Sequence, residues 1–199
     1  MKLRLTFLCI IVVLFAGCAR VNLISYSNPA FKDHKFKNIL VGARFETFDA
    51  VAEFEAAMLR SMHSNNIAAV GQTELLPPFR DYSDSEIVEA CKSHNIDAYL
   101  IILPRGLYSV TTDVSVGYEF KRLSMTSDES STTDRPEGTD VLLVEPFSDQ
   151  IIWKGQSNAN MKREDFGFTK SGIYDNAVLA FARKTVEDLK GKNILLQSH

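Results

Sequence analysis

The chain has 199 residues, a formal net charge of −3 and a hydrophobic share of 45%. This share is typical of a globular protein and excludes wholesale disorder. The mild negative charge provides no clustered basic surface, which excludes the electrostatic footprint of a nucleic-acid-binding protein or of a polybasic membrane-binding face.

The first 18 residues have the pattern of an export signal. Lys2 and Arg4 precede an apolar run that extends from Leu5 to Ala16, and this order is typical of a secretory signal peptide. The run is too short to span a bilayer, which needs ~20 apolar residues. The last four residues, Phe15-Ala16-Gly17-Cys18, resemble the bacterial lipobox, in which signal peptidase cuts before a cysteine that then carries lipid.

The resemblance implies that residues 1–17 are a lipoprotein signal peptide and that Cys18 is the lipidation site, acylated with fatty acids such as palmitate. The lipobox usually has Leu where Phe15 stands, and the alternative is an ordinary signal peptide that is cut near Ala16 or Ala19. Ala19 rather than Asp follows the cysteine. By the same resemblance, this favours sorting to the outer membrane of a Gram-negative bacterium, on its periplasmic side.

Removing residues 1–17 leaves 182 residues and a formal net charge of −5, because two basic residues are lost. A chain of this length forms one domain with its own core. Of the three cysteines, Cys9 leaves with the signal and Cys18 is acylated, so Cys91 stays alone and no internal disulfide can form. We interpret Cys91 as a small buried side chain of a helix rather than as a reactive thiol.

The segment after the signal, residues 18–35, is polar, contains Pro29 and lacks clear periodicity. We predict a lipid-anchored tether, in part extended over the surface of the domain that it carries. Residues 36–199 are predicted to form that single domain.

The first half of the domain alternates short apolar runs with amphipathic stretches. Thr47 and Ser83 are predicted N-caps of two helices, and Glu86 stands at capping-box spacing from Ser83. The order βαβαβ implies crossover connections and a sheet that is at least partly parallel. Three runs are predicted strands: Ile39–Ala43, Ile67–Leu76 and Ala98–Leu103.

The pattern then changes. Side chains from Tyr108 to Phe120 alternate between apolar and polar, which predicts a strand with one wet face, and the polar residues 124–139 predict an exposed, mobile loop. Val141–Val144 and Ile151–Trp153 flank a short polar turn and predict an antiparallel hairpin, before a helix from Ser171 to Lys190. The fold class is therefore α/β (α+β): a mixed sheet in two or three layers, with βαβαβ followed by an alternating strand, a β-hairpin and a C-terminal helix.

This order of elements resembles a group of bacterial envelope lipoproteins. The group includes the curli-secretion lipoprotein, the penicillin-binding-protein activator lipoproteins and the N-terminal domain of the Tol-system propeller protein. The segment Asn95–Ile101 and the hairpin from Val141 to Trp153, followed by the C-terminal helix, carry the resemblance, which covers roughly residues 36–189. The resemblance implies a shared fold, and a fold does not by itself fix a function.

The sequence contains no motif typical of catalysis, phosphate binding or metal binding. The four histidines, His34, His63, His94 and His199, lie far apart, and those at predicted helix ends are explained by the helix dipole. We therefore expect no enzymatic activity, no cofactor and no metal. Trp153, on a hairpin strand, is interpreted as a core residue rather than as a ligand platform.

The leading hypothesis is a non-enzymatic protein that is held in the outer membrane by lipid on Cys18, faces the periplasm and binds or assembles other envelope proteins. The second is an oligomeric subunit of an outer-membrane secretion or export apparatus that assembles through residues 108–120. A pore built from that segment is disfavoured, because a barrel hairpin needs two alternating strands and the polar residues 124–139 follow. A third hypothesis, an envelope hydrolase, predicts a pocket with convergent Asp, Glu or His side chains. The partner and the oligomeric state are left open.

Overall fold

The computed structural model describes residues 21–45, 47–80, 82–104, 138–148, 150–157 and 171–196. Within these ranges the chain forms six strands, four helices and a short 3-10 helix at Pro29–Phe31. The strands are β1 (Leu23–Ser27), β2 (Asn38–Ala43), β3 (Ala68–Gly71), β4 (Ala98–Pro104), β5 (Thr139–Glu145) and β6 (Gln150–Ser157). The helices are α1 (Phe48–His63), α2 (Gln72–Leu75), α3 (Asp84–Ser93) and α4 (Ser171–Gly191).

The six strands form one mixed sheet in the order β1-β6-β5-β4-β2-β3. β2 is parallel to both of its neighbours, as crossover connections through α1 and α3 require, and the other pairs are antiparallel. The predicted α/β fold with a mixed sheet, a hairpin and a C-terminal helix is confirmed.

Helices cover both faces of the sheet, so the fold has three layers. On one face, α1 and α4 pack on the sheet around the fully buried side chains of Phe54, Met58, Trp153 and Phe181. On the other face, α3 and the segments flanking it cover β4 and its neighbours. The buried side chains on this face include Leu40, Ile87, Cys91, Tyr99 and Leu103.

The predicted helix caps are confirmed. Thr47 Oγ1 accepts a hydrogen bond from the Ala50 N–H at 3.3 Å and begins α1. Ser83 and Glu86 form the reciprocal capping box of α3, with the Ser83 N–H donating to Glu86 Oε2 at 2.8 Å. Asn66 follows α1 with φ 56°, a left-handed conformation that Asn tolerates.

Three boundaries differ from the sequence-based prediction. Residues 72–75, predicted to extend a strand, form the one-turn helix α2, because Gln72 turns inward after β3 and is buried. The left-handed residue after α4 is Asn193, at φ 57°, and not Gly191, which still belongs to the helix. Thr139, predicted to end a mobile loop, is buried and begins β5.

The largest difference from the sequence-based prediction concerns the predicted tether. Its residues 23–27 form β1, which pairs antiparallel with β6 at the edge of the sheet. Leu23 packs against the main core, and the Ser25 hydroxyl donates to Asp188 Oδ2 on α4 at 2.7 Å. The folded domain therefore begins by residue 23, since both the backbone and the side chains of this segment have partners in the domain.

Several predicted features lie outside the described residues: the signal peptide with Cys18, the alternating segment 108–120 and most of the loop 124–139. No helix in the described part of the chain has the length and apolar character needed to cross a membrane.

Candidate functional site

The two ends of the sheet differ in what they hold. Leu23, Pro104, Thr139 and Ser157 are aligned across β1, β4, β5 and β6, and we call this the entry end, because the chain from Cys18 enters the sheet there. The β5–β6 turn lies at the opposite end, which we call the hairpin end. β6 spans seven residue steps between them, or ~23 Å.

An open groove of about 580 Å³ lies at the hairpin end. It is formed by the segment between β1 and β2, by the residue that precedes β4, and by the β5–β6 turn. Its lining residues include Phe31, His34, Phe36, Asp97, Glu145 and Phe147. A groove built from three separate segments requires the complete fold, so no single stretch of sequence reveals it.

Aromatic side chains form the apolar part of the groove. The rings of Phe31 and Phe36 lie 6.2 Å apart, and the ring of His34 contacts Phe31 edge-on at 5.6 Å. Phe147 is an aromatic residue in an otherwise polar turn, and its side chain is 50% exposed. An exposed aromatic ring beside a concave apolar surface is typical of a site that binds a partner's side chain.

The two carboxylates of the groove hold its backbone in place. Asp97 accepts hydrogen bonds from the Lys37 N–H at 2.9 Å and the Asn38 N–H at 3.0 Å. Glu145 Oε2 accepts from the Ser148 N–H at 2.6 Å and so fixes the turn that carries Phe147. These contacts fix the backbone that carries the lining of the groove.

A second feature is the attachment of β1 to the body of the protein. Asp188 Oδ2 on α4 accepts from both the Ser25 hydroxyl and Trp153 Nε1, the latter at 2.9 Å. Lys192 Nζ donates to the Ser25 backbone oxygen at 3.2 Å. The prediction of Trp153 as a core residue is confirmed, and its polar nitrogen connects β6 to α4.

At each outer edge of the described sheet, a basic side chain contacts a backbone oxygen of the edge strand. Lys192 contacts Ser25 on β1, and His63 Nε2 lies 2.9 Å from the Ala69 oxygen on β3. Side chains that cover the open backbone groups of an edge strand oppose its pairing with another strand. Strand addition at either edge would have to displace one of these contacts.

The side chains of Ile24 and Tyr26 lie on the face of β1 opposite to α1 and α4. They are 63% and 66% exposed. On the neighbouring strand they pair with Gln156 and Lys154. The sequence prediction missed this pair, and the available signal was the alternation of apolar residues with serines over residues 24–27.

A buried polar cluster lies where β2 and β3 end. Glu55 on α1 is 3% exposed, and its Oε2 accepts from Thr73 Oγ1 at 2.6 Å and from the Thr73 N–H at 3.2 Å. On the other side of the sheet, the Tyr99 hydroxyl donates to Gln72 Oε1 and accepts from Arg44 at 3.3 Å. These bonds join α1, α2 and β4, so the cluster serves the connection of these elements.

Burial shifts the pKa values of this cluster upward. Burial raises the pKa of Glu55 above its ordinary value, and the Thr73 hydrogen bonds and the Arg44 charge offset only part of that effect. Burial raises the pKa of Tyr99 to about 12. Within the described residues, Glu55 Oε1 has no hydrogen-bond partner, which adds to the cost of ionising this carboxyl group.

We expect Glu55→Gln to change how stability depends on pH. The folded-state pKa of Glu55 is raised, so the stability it contributes is complete below the ordinary glutamate pKa and is lost as the pH rises through the raised value. Glutamine keeps an acceptor for Thr73 and cannot ionise. In urea denaturation, the free energy of unfolding of the variant relative to that of the wild type should therefore be higher at pH 8 than at pH 4. An equal difference at the two pH values would contradict this account.

The residues singled out in the sequence have different outcomes. Cys18, the predicted lipidation site, lies outside the described residues. Cys91 is fully buried on α3, and burial raises the pKa of its thiol to about 11, which confirms a packing residue. His63 and His94 contact backbone oxygens of different elements. In the part of the chain that the structure describes, no group of three or more His, Cys, Asp and Glu side chains is placed to hold a metal ion.

Comparisons with known proteins add a distant structural likeness. No protein-family model matches the sequence, and no curated protein matches it. A PelC dodecamer from Paraburkholderia phytofirmans has 15% sequence identity and a TM-score of 0.47, over 89% of this chain and 100% of that one. A single-substitution variant of that dodecamer has 17% identity and a TM-score of 0.45, over 82% and 95%. At these values nothing about function is carried over from either structure.

Proposed function

We propose that this chain is a lipid-anchored protein of the bacterial outer membrane, attached through Cys18 and facing the periplasm, whose domain binds or assembles other envelope proteins without catalysing a reaction. The lipobox-like residues Phe15–Cys18 support the anchor. Cleavage before Cys18 would leave the described fold intact, because its first strand begins at Leu23.

The observation that carries the binding role is the position of the groove. Five residue steps separate Cys18 from Leu23, so the anchor lies within ~18 Å of the entry end. The groove opens at the hairpin end, on the other side of the sheet's ~23 Å length. A partner in the periplasm could therefore reach the groove while the lipid keeps the domain at the membrane.

The groove also suggests the chemistry of the partner. Phe31, Phe36 and Phe147 would accept an apolar side chain. His34 and Lys35 lie in the same groove as the two carboxylates, so the charged groups there are mixed in sign. We propose that the groove binds a protein segment that presents an apolar anchor residue beside polar groups.

Photo-crosslinking in living cells tests this function. A photoreactive amino acid at Phe147 is expected to give one discrete crosslinked product, because the ring would lie at the centre of the contact. Phe79, which is 92% exposed and outside the groove, is the matched control and is expected to give no such product. The proposal fails if both positions give the same products, or if position 147 in the lipidated protein gives none.

A second candidate function, the oligomeric export subunit, is favoured by the alternating segment 108–120. Such a subunit would not assemble by strand addition at β1 or β3 without displacing Lys192 or His63 from the backbone oxygens that they contact. Size-exclusion chromatography with light scattering on the lipidated protein in detergent separates the two candidates. A monomer under those conditions counts against the export subunit.

A further inference from the structure

The exposed pair on β1 is an apolar patch close to the proposed anchor. Ile24 and Tyr26 are more than 60% exposed and point from the same face of the strand. Ser25 and Ser27 alternate with them, and the Ser25 hydroxyl bonds to α4 on the opposite face. The domain therefore uses one face of β1 for its own packing and leaves two large side chains on the other face in solvent. We call Ile24 and Tyr26 the β1 patch.

We propose that the β1 patch rests on the surface of the lipid bilayer to which Cys18 attaches the chain. This inference depends on the proposed anchoring. Ile24 is six residue steps from Cys18, so a lipidated cysteine holds the patch within ~22 Å of the membrane interface. At this short reach the effective concentration of bilayer around the patch is high, and a small apolar contact is sufficient to orient the domain.

The side chains suit an interface between lipid and water. A tyrosine ring can enter the boundary of the acyl chains while its hydroxyl stays among the headgroups, and isoleucine adds apolar area beside it. Neighbouring charges are balanced. Lys154 Nζ lies 3.8 Å from Asp140, and Lys192 Nζ lies 3.9 Å from Asp188. The contact therefore does not require anionic lipid, in contrast to binding by a polybasic surface.

The edge of β1 disfavours a second copy of the chain, compared with a bilayer, as the surface that contacts the patch. Lys192 contacts the Ser25 backbone oxygen at the outer edge of the strand, and this contact opposes extension of the sheet into a neighbouring subunit. A bilayer contact uses the face of the strand and leaves this edge contact in place. The patch thus fits a lipid surface without any change in the described hydrogen bonds.

Tryptophan quenching in vesicles tests the inference. The lipidated mature variants Tyr26→Trp and Phe48→Trp are reconstituted into zwitterionic vesicles with or without lipids brominated near the headgroup end of the acyl chains. Tyr26→Trp is expected to lose fluorescence in the brominated vesicles. Phe48 is 57% exposed at the start of α1, on the opposite face of the sheet, so Phe48→Trp is expected to match the wild type, whose Trp153 is fully buried. Adding Ile24→Ser to Tyr26→Trp is expected to reduce the quenching, because half of the patch is removed.

The outcomes separate this inference from the anchoring on which it depends. Palmitate incorporation with no greater quenching at position 26 than at position 48 overturns the patch contact and leaves the anchor standing. Absence of palmitate overturns the anchor itself. If the Tyr26→Trp protein is shielded from bromine while light scattering shows a dimer or larger assembly, the patch is assigned to an interface between copies, which also overturns the inference.

Discussion

Cys18→Ser is expected to reduce the incorporation of radiolabelled palmitate to background and to remove the protein from the outer-membrane fraction. A serine hydroxyl cannot replace the thiol that accepts the lipid, and the resemblance to a lipobox implies that cleavage before residue 18 also requires the cysteine. The uncut chain should therefore keep residues 1–17 and migrate as a larger species on a gel. The measurement is metabolic labelling with membrane fractionation of both proteins.

Cys91→Ser is the matched control for that experiment. Cys91 is fully buried on α3, and burial raises the pKa of its thiol to about 11, so it is neither accessible nor reactive. The Cys91→Ser protein should incorporate as much palmitate as the wild type. Equal labelling of Cys18→Ser and the wild type would contradict the assignment of the anchor.

Gly155→Ala is expected to lower the stability of the folded protein strongly for so small a substitution. A Cβ at Gly155 would collide with the indole ring of Trp153, lying 2.9 Å from Cζ2 and 3.0 Å from Cζ3. The ring cannot move away easily, because it is fully buried and its Nε1 donates to Asp188. Overpacking of this kind costs about 1–3 kcal/mol. Urea denaturation should report that loss in the free energy of unfolding.

The control is Gly191→Ala, at the end of α4. No heavy atom lies within 4 Å of a Cβ placed there, and alanine is the better helix former. We expect the unfolding free energy of this variant to equal or slightly exceed that of the wild type. If Gly155→Ala is as stable as Gly191→Ala, the packing described for Trp153 and Asp188 is wrong.

Local patterns in the sequence predicted most of the fold. β2 and β4 are buried on both faces and read as short continuous apolar runs, while α1 combines an apolar stripe with a capping residue. The β5–β6 hairpin was recognisable because both strands flank a polar turn. In each case the signal is contained in one stretch of chain, and the strand pairing and side-chain packing of the folded protein agree with it.

Features that depend on distant residues could not be predicted in the same way. β1 is a strand because it pairs with β6 and bonds to Asp188, more than 120 residues away, and a five-residue segment before Pro29 gives little indication of that. The strand order has the same origin, since β1 and β6 are neighbours in the sheet although they lie far apart in the sequence. The groove draws on three separate segments and was also missed.

Some of the missed residues did leave a local signal. Glu55 lies between the apolar positions of α1, four residues before Leu59 and one after Phe54, so a charged group on the buried face could have been anticipated. Phe147 is an apolar residue in an otherwise polar turn, which is unusual unless the ring has a partner. Both signals become clear only once the orientation of the element is known.

The central claim is that lipid on Cys18 anchors the chain directly before its first strand. Mass spectrometry of the N-terminal peptide, from protein purified out of the membranes of its bacterial host, tests this most directly. The account predicts that the mature chain begins at Cys18 and that this residue carries the mass of attached acyl chains. A mature chain that begins at Ala19 or elsewhere, or a Cys18 without added mass, would contradict it.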